Sequence, residues 1–575
     1  RRSSDLKKNT STYTSIQDNF NIDWRIIPAL RLQGRISYTR QFDKRDLFKS
    51  PESLDYSTET DPKKKGTYFR SNSQSDKFDG NLTLQYNKVF GVHSLNVGVG
   101  SNMTESTEEG DSYTGVGFVN PDMVFIGAAI SFEENSSPNG SYDKSRLVGF
   151  FGNVNYGYDN RYFLDLSFRT DGSSKFGRNS RFAPFWSVGV AWNVHKETFW
   201  SGDEKSSLKL RASVGSTGTT NFSSTQALTT YNYDFSKIYN GVFGVSLAGY
   251  GNPELKWQNT ISYNVGVDMT LLKGLVTFNG DFYIKNTENL LLPLTVAPST
   301  GFSSYVENIG KLRNTGIEGR LRLNLIRDTQ RDLRWNVTLS AFHNKSKITK
   351  LSNQLEEINK YANSDWYNQG TVVYRQYEAG RSQTALMMVR SGGIDPATGN
   401  EVYIKRNGEL TFEYDANDKV KCGDMKPTIE GNVNTNLTWK GFTLYMLFKY
   451  QFGAKAYNGT LASKVEGANP YKNADKRVLY DRWKEPGDHA KFRRIDDRTS
   501  PYQTTRLVFD NDLFSLSSVS LSYELPRDIS QKIYADRVRL MLSTTDVFRL
   551  STIKQERGTS YPFARTFNLS LNVTF

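Results

Sequence analysis

The feature that most constrains this chain is a side-chain period of two, sustained over segments of about 9–11 residues or more. At the C-terminus Phe567, Leu569, Leu571, Val573 and Phe575 alternate with Asn568, Ser570, Asn572 and Thr574. Successive side chains of a strand point to opposite faces, so this segment has one apolar and one polar face. The pattern recurs at Val519, Leu521, Tyr523 and Leu525, at Ile261, Tyr263, Val265, Val267 and Met269, and at Leu208, Leu210, Ala212 and Val214. Trp335, Val337, Leu339 and Ala341 form another row. Ile317, Gly319, Leu321, Leu323 and Leu325 form one more, backed by Glu318, Arg320, Arg322 and Asn324.

Two all-β architectures alternate in this way. A soluble sandwich does so with strands of about 5–6 residues, whereas a tilted strand needs about 9–11 to cross a bilayer. The length of these runs favours a transmembrane antiparallel β-barrel, its apolar rows toward lipid and its polar rows toward a wet lumen. Polar lumen rows explain a mean hydropathy of −0.58 in a membrane protein. Aromatics make up 13% of the 575 residues, which argues against disorder. They suit interfacial girdles, for which Tyr162, Phe163, Phe185, Trp186 and Trp192 are candidates. Met123 to Ile130 is the longest strongly apolar run, far short of the roughly 18 residues of a membrane-spanning helix.

About 17 or 18 such segments are expected, joined by alternating short and long connections. Tyr158-Asp159-Asn160-Arg161, Lys273-Gly274 and Lys440-Gly441 read as short periplasmic turns. Ser216 to Asn252, Asn286 to Ser304, Leu351 to Gly370 and Ala454 to Asp510 read as long extracellular loops. Helix signals are few. Asp528 with Gln531 is expected to cap a short helix through Arg537, and Asn473 to Trp483 is expected to form another, stopped by Pro486-Gly487.

Catalytic constellations do not emerge, and the chain reads as a non-enzyme with no cofactor or metal site. His93, His195, His343 and His489 lack metal-ligand spacing, and Cys422, the single cysteine, has no partner base. Gly172-Ser173-Ser174-Lys175-Phe176-Gly177 superficially resembles a phosphate loop, but no periodic helix follows it, so a turn is expected. Asp395-Pro396-Ala397-Thr398-Gly399-Asn400 has turn chemistry and too few carboxylates for a calcium site. The net charge of +13 comes from 73 basic and 60 acidic residues. The basic residues are dispersed, which argues against a nucleic-acid partner. The strongest binding signal is aromatic: Tyr231, Tyr233 and Phe235 in one loop, and Tyr361, Trp366 and Tyr367 in another. Tyr231, Tyr233, Trp366 and Tyr367 are the substrate-contacting candidates, since flat rings beside Asn and Asp suit sugars or peptides.

Together these motifs resemble the barrel of SusC/RagA-type TonB-dependent outer-membrane transporters. The most specific stretch runs from Phe168 through Arg169-Thr170-Asp171-Gly172-Ser173-Ser174-Lys175-Phe176-Gly177, then Asn179-Ser180-Arg181-Phe182. Phe185 to Trp192, Gly215-Ser216-Thr217-Gly218, Asn252-Pro253-Glu254-Leu255-Lys256-Trp257, Glu307-Asn308-Ile309-Gly310 and Asn314-Thr315-Gly316-Ile317-Glu318 follow in the family's order. Gly393-Ile394-Asp395-Pro396-Ala397-Thr398-Gly399 and the ending from Ser518 to Phe575 complete the set. Ser543-Thr544-Thr545-Asp546-Val547-Phe548 departs locally, where the family usually has an Asn before Leu-Phe.

The resemblance implies a 22-stranded barrel in the whole protein, of which residues 1–575 supply the C-terminal part. The chain opens on Arg1-Arg2-Ser3-Ser4 among barrel-like strands. On this reading the signal peptide, N-terminal extension, TonB box, plug and first strands lie outside it. The resemblance further implies TonB-dependent import of oligosaccharides, with oligopeptides as the alternative. The implied partners are a SusD-like lipoprotein over the extracellular face, TonB–ExbB–ExbD, and outer-membrane lipid with lipopolysaccharide. Rival readings are a structural or adhesive barrel, and a soluble β hydrolase, for which no acidic pair stands out.

Overall fold

The computed structural model describes residues 6–133, 138–177, 179–203, 205–219, 226–295, 304–308, 310–351, 378–469, 474–497, 499, 501–553 and 564–575. Its dominant element is one antiparallel sheet of 18 strands. Seventeen of them form a meander in which each strand pairs with the next in sequence. The first half of the meander is Lys7–Ile27, Leu30–Lys49, Thr67–Phe90, His93–Val116, Asn139–Tyr158, Tyr162–Ser173, Phe182–Asn193 and Ser207–Thr219. Gln258–Leu271, Val276–Glu288, Lys311–Asp328, Leu333–Lys350, Ile429–Trp439, Phe442–Phe452, Leu513–Glu524, Arg537–Ser551 and Phe567–Thr574 complete it. The two-residue strand Ser131–Phe132 adds to the far end of His93–Val116.

The short connections lie at one end of this wall, as expected. Asp159 and Asn160 both have positive φ, of 50° and 51°, and Lys440 and Gly441 have 45° and 82°. Two consecutive left-handed residues match the twist of a tight hairpin. Lys273 and Gly274 turn similarly at 55° and 80°. Outer-membrane barrels direct this end to the periplasm.

Register assigns the faces. Tyr162, Leu164, Leu166 and Phe168 stand opposite Trp192, Val190, Val188 and Trp186 on the next strand, forming a continuous outward apolar row. On the inward rows Asp165, Ser167 and Arg169 face Gly189, Ser187 and Phe185. Of the five girdle candidates, Tyr162, Trp186 and Trp192 therefore lie on the lipid face, whereas Phe163 and Phe185 point inward. Phe163 follows Tyr162 and Phe185 precedes Trp186, and consecutive strand residues cannot share a face. The periplasmic girdle also takes in Tyr158, stacked on Tyr162 with ring centroids 6.4 Å apart, and Phe442, 4.3 Å from Tyr523.

The apolar band ends abruptly toward the long loops. Outward Ile36 and Tyr38 give way to Arg40, bonded to Asp76 at 2.6 Å. Outward Met103 gives way to Glu105, bonded to Arg146 at 2.5 Å. From Leu30 to Tyr38 a strand tilted by about 45° rises roughly 20 Å, close to the height of a barrel's lipid-facing band.

Two helical expectations are corrected. The C-terminal helix spans Arg527–Lys532, with Pro526 at the N-cap and no side-chain cap bond. Asp528 therefore sits inside the first turn, and the next strand already begins at Arg537. Among the described residues of the Asn473 to Trp483 stretch only Lys476–Leu479 is helical, a single 3₁₀ turn capped by Asp475.

Candidate functional site: lumen wall and extracellular rim

The inward rows carry charge in paired form. Arg211 Nε donates to Asp268 at 2.8 Å and Arg211 Nη2 to Asp281 at 3.1 Å, while Asn279 donates to Asp268 at 2.8 Å. These groups come from three adjacent strands. Gly266 makes the cluster possible, since a Cβ there would fall 2.5 Å from Asp281 Oδ1 and 2.7 Å from Arg211 Nη2. Gly149 serves a second cluster in the same way. Arg169 bonds Asp171 at 2.7 Å and Asn102 at 2.6 Å, directly over the missing Cβ. These two clusters, one cation against one or two carboxylates, give this part of the lumen wall donors and acceptors for a hydrated solute.

At the extracellular rim, the motifs dispersed through the sequence meet. The turn after Asp171-Gly172 carries Phe176, which stacks on Trp257 at 4.4 Å, and Phe185 packs edge-on against the same indole at 5.4 Å. All three rings are buried. Gly218 lies beneath them, where a Cβ would strike the Phe185 ring at 2.3 Å. Gly177 N donates to Leu255 O at 3.1 Å, and Trp257 Nε1 to Arg181 O at 3.0 Å. Asn308 completes the knot, accepting from Lys256 N at 2.9 Å and donating to Lys256 O at 2.7 Å. Gly172 to Gly177 is thus a structural turn.

Above the rim, the loops flanking Ile429–Phe452 fold into a cap with its own core of Ala462, Val465, Phe492 and Leu507. Beside it lies a buried ionic chain. Glu466 accepts from Arg493 at 2.7 Å and from Arg506 at 2.7 Å, and Arg506 also reaches Glu401 at 3.0 Å. Thr504 donates to the other Glu401 oxygen at 2.6 Å, and Asp497 takes the outer end of Arg493 at 2.6 Å. The side chains of Glu466 and Glu401 are 0% and 1% exposed, and each is paired with arginine, as a buried carboxylate requires. Burial alone lowers the Arg506 pKa, but bonds and charge from Glu401 and Glu466 outweigh it and raise the value overall. Burial likewise pushes the neighbouring Tyr403 and Tyr457 phenols well above their usual range.

Trp483 anchors this cap to the Asp395 turn, donating through Nε1 to Pro396 O at 2.9 Å. Gly399, at φ 71°, sits against the indole, where a Cβ would approach to 2.5 Å. Asp395 is committed to its own turn. Bonds from the Thr398 hydroxyl at 2.7 Å and from Thr398 N at 3.1 Å hold its carboxyl below the usual range.

Of the aromatic candidates, Tyr231 is well exposed on the loop hairpin Thr230–Tyr239 with Val242–Gly249. Tyr233 lies on the same strand, and its side chain is outside the described residues, as are Trp366 and Tyr367 entirely. Sequence reasoning missed the ionic chain, because Glu401, Glu466, Arg493 and Arg506 look like ordinary loop charges. The one available signal was apolar context: Val465 and Phe492 directly precede two of its members. His93, His195 and His343 bond Tyr156 Oη, Leu208 O and Thr428 O, respectively. Among the described residues no group of three or more His, Cys, Asp or Glu could hold a metal ion.

A lipid-facing apolar band, a wet lumen wall and a folded extracellular cap define an outer-membrane β-barrel. The family described as "TonB dependent receptor-like, beta-barrel" matches residues 1–461, and the chain belongs to it. Within that family the barrel is of SusC/RagA type. TonB-dependent receptor P3 of Formosa agariphila is 28% identical over 537 residues, 86% of this chain and 52% of that protein. TonB-dependent receptor SusC of Bacteroides thetaiotaomicron is 24% identical, over 88% of this chain and 51% of that protein. The solved RagAB peptide transporter superposes with a TM-score of 0.84 at 22% identity, covering 96% of this chain and 60% of its own, a likeness of fold. The chain spans about half the length of the curated relatives it matches.

Proposed function

We propose that this barrel is the C-terminal part of an outer-membrane active importer of oligosaccharides or other nutrient oligomers. A SusD-like lipoprotein caps its extracellular face, and TonB–ExbB–ExbD supplies the energy. On this reading the plug and TonB box belong to the part of the relatives' length that this chain does not span. The observation that carries the proposal is the lumen wall itself. Clusters such as Arg169–Asp171, one cation to one carboxylate, and Arg211–Asp268–Asp281, one cation to two, present many hydrogen-bonding groups with little net charge, which suits a large, hydrated, uncharged solute. The cap tied down by Glu401, Glu466, Arg493 and Arg506 gives a partner lipoprotein a firm platform. No catalytic step is assigned to any residue.

Oligopeptides are the alternative cargo. Paired charges of both signs also suit zwitterionic peptides, and the solved neighbour is named as a peptide transporter. The test compares uptake of labelled oligosaccharides and labelled peptides by cells with and without the full-length gene. Loss of oligosaccharide uptake supports the proposal, and loss of peptide uptake alone selects the alternative. Unchanged uptake of both would leave a structural or adhesive barrel.

A further inference from the structure

The lipid face is not uniformly convex. Val267, Gly280, Gly319, Ala341 and Gly431 stand side by side in register across five adjacent strands. Where the row lacks side chains, an apolar groove of about 510 Å³ opens, with Gly280, Gly319 and Ala341 along it and Val265, Phe282 and Ile317 among its walls. Its extracellular end reaches His343 and Ile429.

A second pocket of about 370 Å³ begins at that point and also includes His343. It exists because strand Leu333–Lys350 outruns its neighbour: pairing with Ile429–Trp439 stops at Phe342 and Glu430. Lys345, Lys347, Lys421 and Lys426 line this gap, against Asp424 as its one carboxylate. Among the described residues none of these four ammonium groups has an ion-pair partner, and Asp424 already accepts from Thr384 at 2.6 Å. Ser346, only 7% exposed, lines the same pocket with an unpartnered Oγ. Lys345 and Lys347 share the outward row with Ala341 and His343. They stand about 13 and 20 Å further along the strand than Ala341, at the level where Arg40 and Glu105 end the apolar band elsewhere.

We propose that groove and pocket together hold a phosphorylated glycolipid of the outer leaflet, with an acyl chain along Gly280, Gly319 and Ala341 and a phosphate against Lys345 and Lys347. Charge complementarity selects this occupant. An apolar trench that ends in ammonium groups with no ion-pair partner among the described residues, at the extracellular membrane boundary, matches an anionic amphiphile, and cations at that depth attract anionic headgroups. A comparable groove of about 430 Å³ beside Gly34 and Gly80 makes the contrast. The cation above it, Arg40, is already neutralised by Asp76. The proposal rests on the outer-membrane placement and is independent of the imported solute.

The experiment uses the full-length protein extracted from its native outer membrane in mild detergent, with bound glycolipid counted by native mass spectrometry. Folding of each variant is verified by the gel shift between boiled and unboiled samples. Lys345→Glu with Lys347→Glu is expected to lower bound glycolipid roughly tenfold or more. Gly319→Leu, which fills the trench without touching charge, is expected to lower it comparably, while Gly80→Leu in the second groove leaves it unchanged. Full retention by the lysine variant overturns the phosphate site, and retention by Gly319→Leu overturns the acyl groove. Loss with inorganic phosphate competing as well as lipid points to a free-anion site and also overturns the proposal.

Discussion

The ring of Phe176 lies on the indole of Trp257 at 4.4 Å with 23° between their planes. One belongs to the turn after strand Tyr162–Ser173 and the other precedes strand Gln258–Leu271, so the stack ties together distant parts of the wall. With Phe185, Gly218 and Asn308 it forms a single rim knot that fixes where the wall ends and the loops begin.

Trp257→Ala removes the centre of that knot and leaves Phe176 and Phe185 facing a cavity. The expected cost is about 3–5 kcal/mol, read as a lower urea midpoint for the refolded barrel. A change confined to the loops, with the barrel midpoint unaltered, would contradict a role at the rim.

Glu466→Gln keeps the shape of the side chain but removes the charge shared by Arg493 and Arg506. Removing one partner from a buried ion pair costs about 3–5 kcal/mol. Because the chain lies within the cap, hydrogen exchange should accelerate across residues 453–512 and in the segment around Glu401. Exchange in strands such as Val276–Glu288 should stay as in the parent protein.

Gly266→Val should displace the Arg211–Asp281 pair into the lumen, because the new Cβ overlaps both groups. Overpacking of this kind costs about 1–3 kcal/mol. The variant should still assemble and show the boiled-versus-unboiled gel shift, while uptake of the cargo falls. Unchanged uptake would separate this cluster from the transport path.

Tyr414 stacks on Tyr502 at 4.3 Å in the cap. Burial, followed by the charges of Tyr502, Asp415 and Glu401, pushes its phenol up to about 12. A folded-state value above the unfolded value of about 10 adds stability that is complete below pH 10 and is lost as pH rises through about 12. The difference in phenolate absorbance between the parent protein and Tyr414→Phe should therefore titrate near pH 12. A midpoint at 10 would place Tyr414 in water.

The wall was legible in the sequence because lipid on one side and water on the other force strict alternation, as at Phe567 to Phe575. The tight turns at Asp159-Asn160 and Lys440-Gly441 were legible because Asp, Asn and Gly accept positive φ. Composition alone misplaced Phe163 and Phe185, since an aromatic near a strand end reads as a girdle residue until register assigns its face. Asp528 misled because Pro526 already occupies the cap position. The ionic chain of the cap was barely legible, because Glu466 meets Arg493 and Arg506 only once loop segments distant in sequence fold together. The Lys345–Lys347 pocket was equally hidden, since it depends on one strand outrunning its neighbour. Trp366 and Tyr367 keep their standing as candidates for cargo contact, to be decided by uptake in their alanine variants.

The central claim is that outward rows face lipid and inward rows face a wet lumen. Cys422 is the single cysteine, so Cys422→Ser gives a clean background for placing one cysteine at a time along 278–283. A charged, membrane-impermeant thiol reagent applied to the full-length protein in its membrane should modify positions 279, 281 and 283 and spare 278, 280 and 282. Uniform reactivity, or the opposite alternation, would contradict the account.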